Sequence, residues 1–329
     1  MKGILLYTIF FLLITVAGQA QLRWVNVDSL FQPLPSSVHV YLTTDPLDGK
    51  ANIAYYVEAD LRDRSLEFTT DTTLQRRLTP SAYFARNGDP LLVMNCTFFS
   101  FATHQNLNVV IRNGRLLGYN IHSIPGKGKD TFTYRHPLGS ALGISRRRTA
   151  DIAWLYTDSA ARFPLAYQGP VPAIRDSGYA FNRASAINMI QRSWPEGVKR
   201  KLSFQPWKMK TAVGGGPVLV QNGEIRISNN EELKFSGKAI DDRHPRTAMG
   251  YTAGGKLIML VVEGRNPGKA EGASLTQLAR LFRDLGCQEA LNLDGGGSSC
   301  LLVNGKETIR VSDGAGQRPV PAVFMIRKR

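Results

Sequence analysis

The chain has 329 residues, 43% of them hydrophobic and 20% charged; this balance is that of a folded domain and excludes a disordered or low-complexity protein. Its 41 basic and 26 acidic residues give a net charge of +15, which favours anionic partners. Three cysteines, Cys96, Cys287 and Cys300, are too few for a disulfide framework and fit no zinc spacing. Cys287 and Cys300 flank a glycine loop and either pair or lie buried as thiols, as Cys96 does.

In chain order, Lys2, the apolar stretch 4–16 and the small residues Ala17, Gly18 and Ala20 have the order of a secretory signal peptide. The apolar stretch is short for a transmembrane span. The expectation is a signal peptide over 1–20, export to the periplasm or the extracellular space, and no stable membrane insertion. Residues 21–78 are expected to form an N-terminal strand region packing on the core, with strands at 38–44 and 53–59 rich in β-branched and aromatic residues. Residues 79–329 hold every motif and are expected to form the catalytic domain. Thr79 and Pro80 have the N-cap and first-position chemistry of a short helix, closed by Asn87-Gly88. A strand over 91–95 then runs into Cys96-Thr97-Phe98-Phe99. Asn113-Gly114, Asn222-Gly223 and Asn304-Gly305 sit between apolar runs and predict type I′ hairpins; Gly254-Gly255 predicts a fourth. A helix is expected over 183–192, with Pro195 ending it. A second, over 274–285, has a Ser274/Gln277 capping box, an apolar stripe and Gly286 at its close. A strand over 290–293 follows, and 308–311 is expected as the return strand of the last hairpin. The fold class is therefore α+β, a largely antiparallel or mixed β-sheet core with a few packed helices in a single catalytic domain. The basic runs Arg146-Arg147-Arg148 and Lys199-Arg200-Lys201 are expected as solvated faces.

Chemistry concentrates at strand ends. Asp294-Gly295-Gly296-Gly297-Ser298 places an acid before three glycines, whose N–H groups can form an anion nest and whose missing side chains admit a close approach. Gly214-Gly215-Gly216 is a second such loop, without the Lys and Ser/Thr of a nucleotide-binding P-loop. In His244-Pro245-Arg246-Thr247, Arg246 is a fork suited to phosphate. Glu263-Gly264-Arg265 sets an acid and a second fork at another strand end. Asn95 is a candidate for a sugar hydroxyl, and Phe98 or Phe99 for a sugar face. Neither a Gly-x-Ser-x-Gly elbow nor a His-Glu-x-x-His pattern is present.

Taken in order, the Asn95 strand end, Gly-Gly-Gly-Pro-Val-Leu-Val, His-Pro-Arg-Thr-Ala, Glu-Gly-Arg, Gly-Ala-Ser-Leu and Leu-Asn-Leu-Asp-Gly-Gly-Gly-Ser resemble the phosphodiester glycosidase family, over roughly residues 91–326. The resemblance implies hydrolysis of a sugar, with N-acetylglucosamine the candidate, from a sugar-1-phosphodiester. Asn95, Arg246, Thr247, Glu263, Arg265 and Asp294 match its motif positions. The candidate catalytic residues are then Asp294, Glu263 and Arg265. The candidate substrate contacts are Asn95, Thr97, Gly215, Gly216, His244, Arg246, Thr247, Gly295, Gly296, Gly297 and Ser298. Cys96-Thr97 departs from the family, which carries two glycines there. The expected partner is a phosphate-bearing carbohydrate, not nucleic acid. No cofactor is implied; a divalent metal on Asp294 would accompany the alternative of a phosphodiesterase cutting the P–O bond. The other alternative is a non-catalytic binder of anionic glycan.

Overall fold

Three asparagine-glycine turns set the local pattern. Both residues of each pair have positive φ, for example +53° at Asn113 and +76° at Gly114, the conformation a type I′ turn demands. The first joins Val110–Arg112 to Arg115–Gly118, and the second joins Val218–Gln221 to Glu224–Ile225. The third is shorter than the sequence predicts. Its return strand is only Lys306–Glu307, after which the Thr308 N–H and hydroxyl both donate to the Leu301 carbonyl. The fourth hairpin turns at Gly255, φ +80°, between Arg246–Thr252 and Lys256–Val262.

The computed structural model describes residues 21–192 and 204–329. The expected leader, Pro195 and Lys199-Arg200-Lys201 lie outside the described residues. Among the described residues there are sheets of eight, seven, five and three strands, and every pairing is antiparallel. No strand pair supports the mixed alternative. The segment 21–78 is woven into the sheets. Ala54–Asp60 pairs with Lys256–Val262 over its whole length, and Leu66–Thr72 pairs with the last strand, Ala322–Lys328.

Period-2 alternation divides the side chains between faces. In the eight-stranded sheet Val57, Met249, Met259 and Leu291 point into a central core. The five- and seven-stranded sheets also fill this core, through Met94, Phe324, Leu142 and Trp154. The alternate residues Tyr56, Ala248, Leu260 and Ala290 face the helix Leu275–Asp284. That helix starts where it does because the Ser274 hydroxyl accepts from the Gln277 N–H while the Gln277 side chain accepts from the Ser274 N–H. Its Phe282 is fully buried, a placement that contributes about 1.5–3 kcal/mol. The helix Pro80–Arg86 covers the outer face of the five-stranded sheet with Tyr83, its Thr79 hydroxyl accepting from Ala82 N–H. The third long helix, Arg183–Arg192, buries Ala186, Met189 and Ile190. Cys287 lies under the helix Leu275–Asp284, whereas Cys300 lies on the outer face of the five-stranded sheet. They do not pair, and all three cysteines are buried free thiols. No helix among the described residues is long and apolar enough to cross a membrane.

Antiparallel register decides where the chemistry collects. Arg246 faces Val262, and Ala248 faces Asn292. The start of one strand therefore lies beside the ends of its two neighbours, which brings Arg246, Glu263 and Asp294 to one edge of the sheet.

Candidate active site

Asp294 follows the strand Cys287–Asn292. Its N–H donates to the Cys96 carbonyl, and its own carbonyl accepts from Asn95 Nδ2 at 2.5 Å. The main chain is thus pinned through both its N–H and its carbonyl. Burial pushes the carboxyl up to about 7. The Ser298 hydroxyl, the Arg318 guanidinium and the Gly295 N–H pull the other way more weakly. None of them closes a hydrogen bond on Oδ2, which is buried without a protein partner.

Other buried polar atoms share that property nearby. Six such atoms belong to these segments: Thr97 Oγ1, His244 Nδ1, Asn292 Oδ1, Asp294 Oδ2, Ser298 Oγ and Ser299 Oγ. Buried polar atoms ordinarily have partners, so a concentration of unpartnered ones marks a surface that meets water or a ligand. Thr97 and Ser298, both expected at the site, are in this set, as is His244. The imidazole of His244 is held below its ordinary pKa by burial first and by Arg246 and Arg265 second.

Asn95 has a different part from the one its sequence suggests. It is fully buried, and its Oδ1 accepts from Thr247 Oγ1 at 2.8 Å and from the Cys300 N–H at 3.0 Å. With Nδ2 on Asp294, the amide knits three segments together and is not presented to a sugar. Thr247, equally buried, is likewise a positioning residue.

The two glycine loops also differ from expectation. The Gly215 N–H donates to Ser140 O, and the Gly216 N–H to Asn292 O, so neither amide is open to a substrate. A Cβ at Gly215 would run into the Asn292 carbonyl, and one at Gly216 into the Glu232 carboxylate. Gly215 and Gly216 are there for packing. In the Asp294 loop, Gly296 donates to Pro245 O, Ser298 to Gly295 O and Ser299 to Gly296 O, closing a 3-10 turn over Gly296–Ser298. Of the three glycine amides, that of Gly296 is thereby closed on a backbone carbonyl. A Cβ at Gly295 would meet Pro245 O at 2.9 Å, and one at Gly296 would meet Arg265 Nη2 at 3.0 Å. One at Gly297 would overlap the Arg318 guanidinium. The glycines let two arginine forks lie flat against the loop.

Arg246 adds a third cation. Its Nε donates to Ala273 O at 2.8 Å and its Nη2 to Asp242 O at 2.9 Å, and the guanidinium lies over the Phe235 ring at 5.7 Å. It is 3% exposed and has no ion pair within 4 Å among the described residues. Burial lowers its pKa to about 10, still charged at neutral pH. A buried cation without a carboxylate is costly unless an anion comes to it. Glu263 accepts from Asn266 Nδ2 at 3.2 Å and from the Arg310 N–H at 3.0 Å. It lines a cleft of about 380 Å³ with Arg265, Arg310 and Asp313. Arg265, exposed and with φ +59°, forms a wall of that cleft and touches the glycine loop.

Two cations were not singled out from the sequence as site residues. Arg318 donates from Nε to Asp313 Oδ2 at 2.7 Å and lies over the Phe101 ring; its signal was only the Arg-Pro dipeptide near the end of the chain. Lys234 stands over the Phe98 ring at 5.6 Å, and Phe98 meets Phe235 edge-on at 6.1 Å. Phe98 and Lys234 line a cleft of about 440 Å³, and Phe235 links it to Arg246. Nothing around Lys234 in the sequence marks it.

The sequence pattern of the phosphodiester glycosidase family matches residues 173–327, which include every candidate named above except those of the Asn95–Phe99 segment. The SPbeta prophage-derived uncharacterized protein YomE of Bacillus subtilis (strain 168) is 40% identical over 72 residues, 22% of this chain and 11% of that protein. The N-acetylglucosamine-1-phosphodiester alpha-N-acetylglucosaminidase of Mus musculus is 30% identical over 95 residues, 26% of this chain and 18% of the mouse protein. The matched stretches thus span less than a fifth of either relative. The catalytic domain of the zebrafish N-acetylglucosamine-1-phosphodiester alpha-N-acetylglucosaminidase superposes with a TM-score of 0.55 at 19% identity, over 91% of this chain and 85% of that one, a likeness of fold. Residues 173–327, a little under half of the chain, carry the Arg246, Glu263, Arg265 and Asp294 motifs and match the phosphodiester glycosidase family.

Proposed function

We propose that this protein is an exported glycoside hydrolase that releases a sugar, N-acetylglucosamine being the first candidate, from a sugar-1-phosphodiester. The observation that carries the reading is Asp294: a carboxyl with a partnerless buried oxygen and a pKa raised to about 7, bordered by a glycine loop on which Arg265 and Arg318 rest. A group poised near neutrality is suited to moving a proton. Arg318 acts on it directly, and Arg246 and Arg265 flank the adjoining Gly295 and Gly296; three arginines at one loop suit a phosphodiester, since charge neutralisation in a water-poor site lowers the cost of the departing phosphate. In the reaction, water adds to the anomeric carbon as the bond from that carbon to the phosphate oxygen breaks. The electron pair leaves with the phosphomonoester, and Asp294 takes the proton from water. Glu263, which lines the cleft with Arg265, supplies the second carboxylate. Export rests on Lys2 and the apolar stretch that follows it.

The test is hydrolysis of the methyl phosphodiester of N-acetylglucosamine 1-phosphate in ¹⁸O-water, read by mass spectrometry. The label is expected in free N-acetylglucosamine. Label in phosphate with sugar-1-phosphate as product would establish P–O cleavage instead, and saturable binding without turnover would establish a binding protein.

A further inference from the structure

The basic run Arg146-Arg147-Arg148 divides in the structure. Arg148 turns inward: its Nη1 donates to the Leu61 and Asp63 carbonyls and its Nη2 to the Leu66 carbonyl. Arg146 and Arg147 are exposed. With Arg115, Arg162 and Lys208, also exposed, they line a groove of about 750 Å³ on the seven-stranded sheet, and no carboxylate among the described residues lines it. The groove begins where the strand Gly139–Ser145 ends. The start of that strand abuts the Gly215 loop, where Ser140 O accepts from Gly215 N–H. The groove is therefore reached from the opposite end of the sheet and is distinct from the Asp294 site.

Nearby cations show what a merely structural arginine or lysine looks like in this protein. Arg112 pairs with Asp71 at 3.0 Å, and Lys210 with Glu67 at 3.7 Å. The five groove cations have no ion pair among the described residues. Of the acids nearest in sequence, Asp151 accepts from Trp207 Nε1 and Gln168, and Asp158 from the Ala160 N–H; neither lines the groove. Like charges gathered without counter-charges repel one another and raise the local potential, which an anion relieves. The groove is not purely ionic. Tyr119, 39% exposed, lies in its wall, as does Phe163 with the Arg162 guanidinium 5.1 Å from its ring centre.

We propose that this groove binds an acidic polysaccharide, holding carboxylate, sulfate or phosphate groups spaced along one chain in the arginine forks while Tyr119 stacks on a sugar face. Guanidinium forks match such groups bidentately, and an aromatic ring offers an apolar face with a polar tip. A groove with ring walls favours a threaded glycan over a bilayer surface, which would need an apolar rim to insert. The proposal stands independently of the chemistry at Asp294.

The test measures binding of the whole protein to polygalacturonate, with neutral dextran, phosphatidylglycerol vesicles and single-stranded DNA as comparison probes. Polygalacturonate is expected to bind and neutral dextran not to, with affinity falling as salt rises. The triple variant Arg146→Ser/Arg147→Ser/Arg162→Ser is expected to weaken binding at least tenfold. Its thermal midpoint and its hydrolysis of a small sugar phosphodiester should stay unchanged. Tyr119→Ala is expected to weaken binding severalfold at constant charge. Equal binding by the triple variant, equal binding of dextran, no loss with Tyr119→Ala, or tighter binding of vesicles or DNA would each overturn the assignment.

Discussion

The chain contains Gly214-Gly215-Gly216 and Gly295-Gly296-Gly297, identical as tripeptides and opposite in use. In the first, the neighbours that exclude a Cβ include the Asn292 carbonyl and the Glu232 carboxylate. Glu232 is itself fixed by Ser140 Oγ, Ser228 Oγ, Trp154 Nε1 and Val218 N–H. That loop is a splice between two sheets, and its amides are closed on backbone carbonyls. In the second, two of the three neighbours are the guanidinium ends of Arg265 and Arg318, and an acid with a partnerless oxygen stands beside it. A glycine run reports that something comes close; what comes close, a fixed wall or a charged side chain, decides whether the loop serves the fold or the chemistry.

The largest effect expected follows from the acid beside the second loop. Asp294→Asn is expected to lower the rate of sugar release on the order of 10³-fold or more, the scale of a lost proton-transfer group, with the fold retained. The same variant has a stability signature. The native carboxyl titrates at about 7, whereas an unfolded Asp titrates near ~3.9, so the native state keeps its proton longer as pH rises. Stability is full below the unfolded value and falls as pH climbs from about 4 through about 7, because burying the charged form costs more. Asn carries no such charge, so the variant should gain on the wild type at pH 8 by on the order of a few kcal/mol and gain nothing at pH 4. Thermal denaturation at the two pH values measures this; a variant equally destabilised at both would show that Asp294 is structural.

Placing one substitution in both loops sharpens the comparison. Gly297→Ala pushes against the Arg318 guanidinium, which can swing aside. Activity is expected to fall about 100-fold, the cost of misplacing a charge by an ångström or so, with the thermal midpoint barely moved. Gly216→Ala puts a methyl against the Glu232 carboxylate and on a residue with φ +120°, where neither gives way. The expected outcome is a loss of about 2–4 kcal/mol in denaturant unfolding, with activity lost only through unfolded protein. If both variants lost stability equally, the distinction between the loops would fail. Asn95→Ala should behave like Gly216→Ala. It strips hydrogen bonds from Asp294 O, the Thr247 hydroxyl and the Cys300 N–H, each a buried group costing about 1–3 kcal/mol when left unmade.

These contrasts also explain what was legible in the sequence. Signals confined to a few adjacent residues survived folding. The Asn-Gly turns, the Thr79 cap, the Ser274/Gln277 box and the strand ends carrying Arg246, Glu263 and Asp294 are set by local φ/ψ and periodicity. What failed depended on partners far along the chain. Whether a glycine amide is open at Gly215 was decided by Ser140. Whether Asn95 faces a sugar was decided by Thr247 and Cys300, more than 150 positions away. The weaving of 21–78 into the sheets rests on pairings such as Phe68 with Ile326, which no window of sequence contains. Arg318 and Lys234 sit in irregular segments with no periodicity to aim them, so their approach to the site had no local signature.

Arg318 provides the finest test of the second loop. If its guanidinium acts on Asp294 through space, as its pull on the carboxyl implies, Arg318→Gln should do two separable things. Activity should fall by about tenfold, since one of the three arginine charges at the loop is lost while Arg246 and Arg265 remain. The limb of the pH–rate profile set by Asp294 should move to higher pH, because removing a nearby cation makes the carboxylate harder to form while the dominant effect, burial, still holds it up. The movement is expected to be well under the rise that burial itself produces, and to shrink in high salt only slightly, since a half-sealed pair is poorly screened. Lys at position 318 should restore the limb by restoring the charge, yet recover only part of the rate, for an ammonium cannot lie flat on Gly297 as the fork does. A limb unmoved by Arg318→Gln, or moved to lower pH, would mean that Arg318 serves the loop by packing alone.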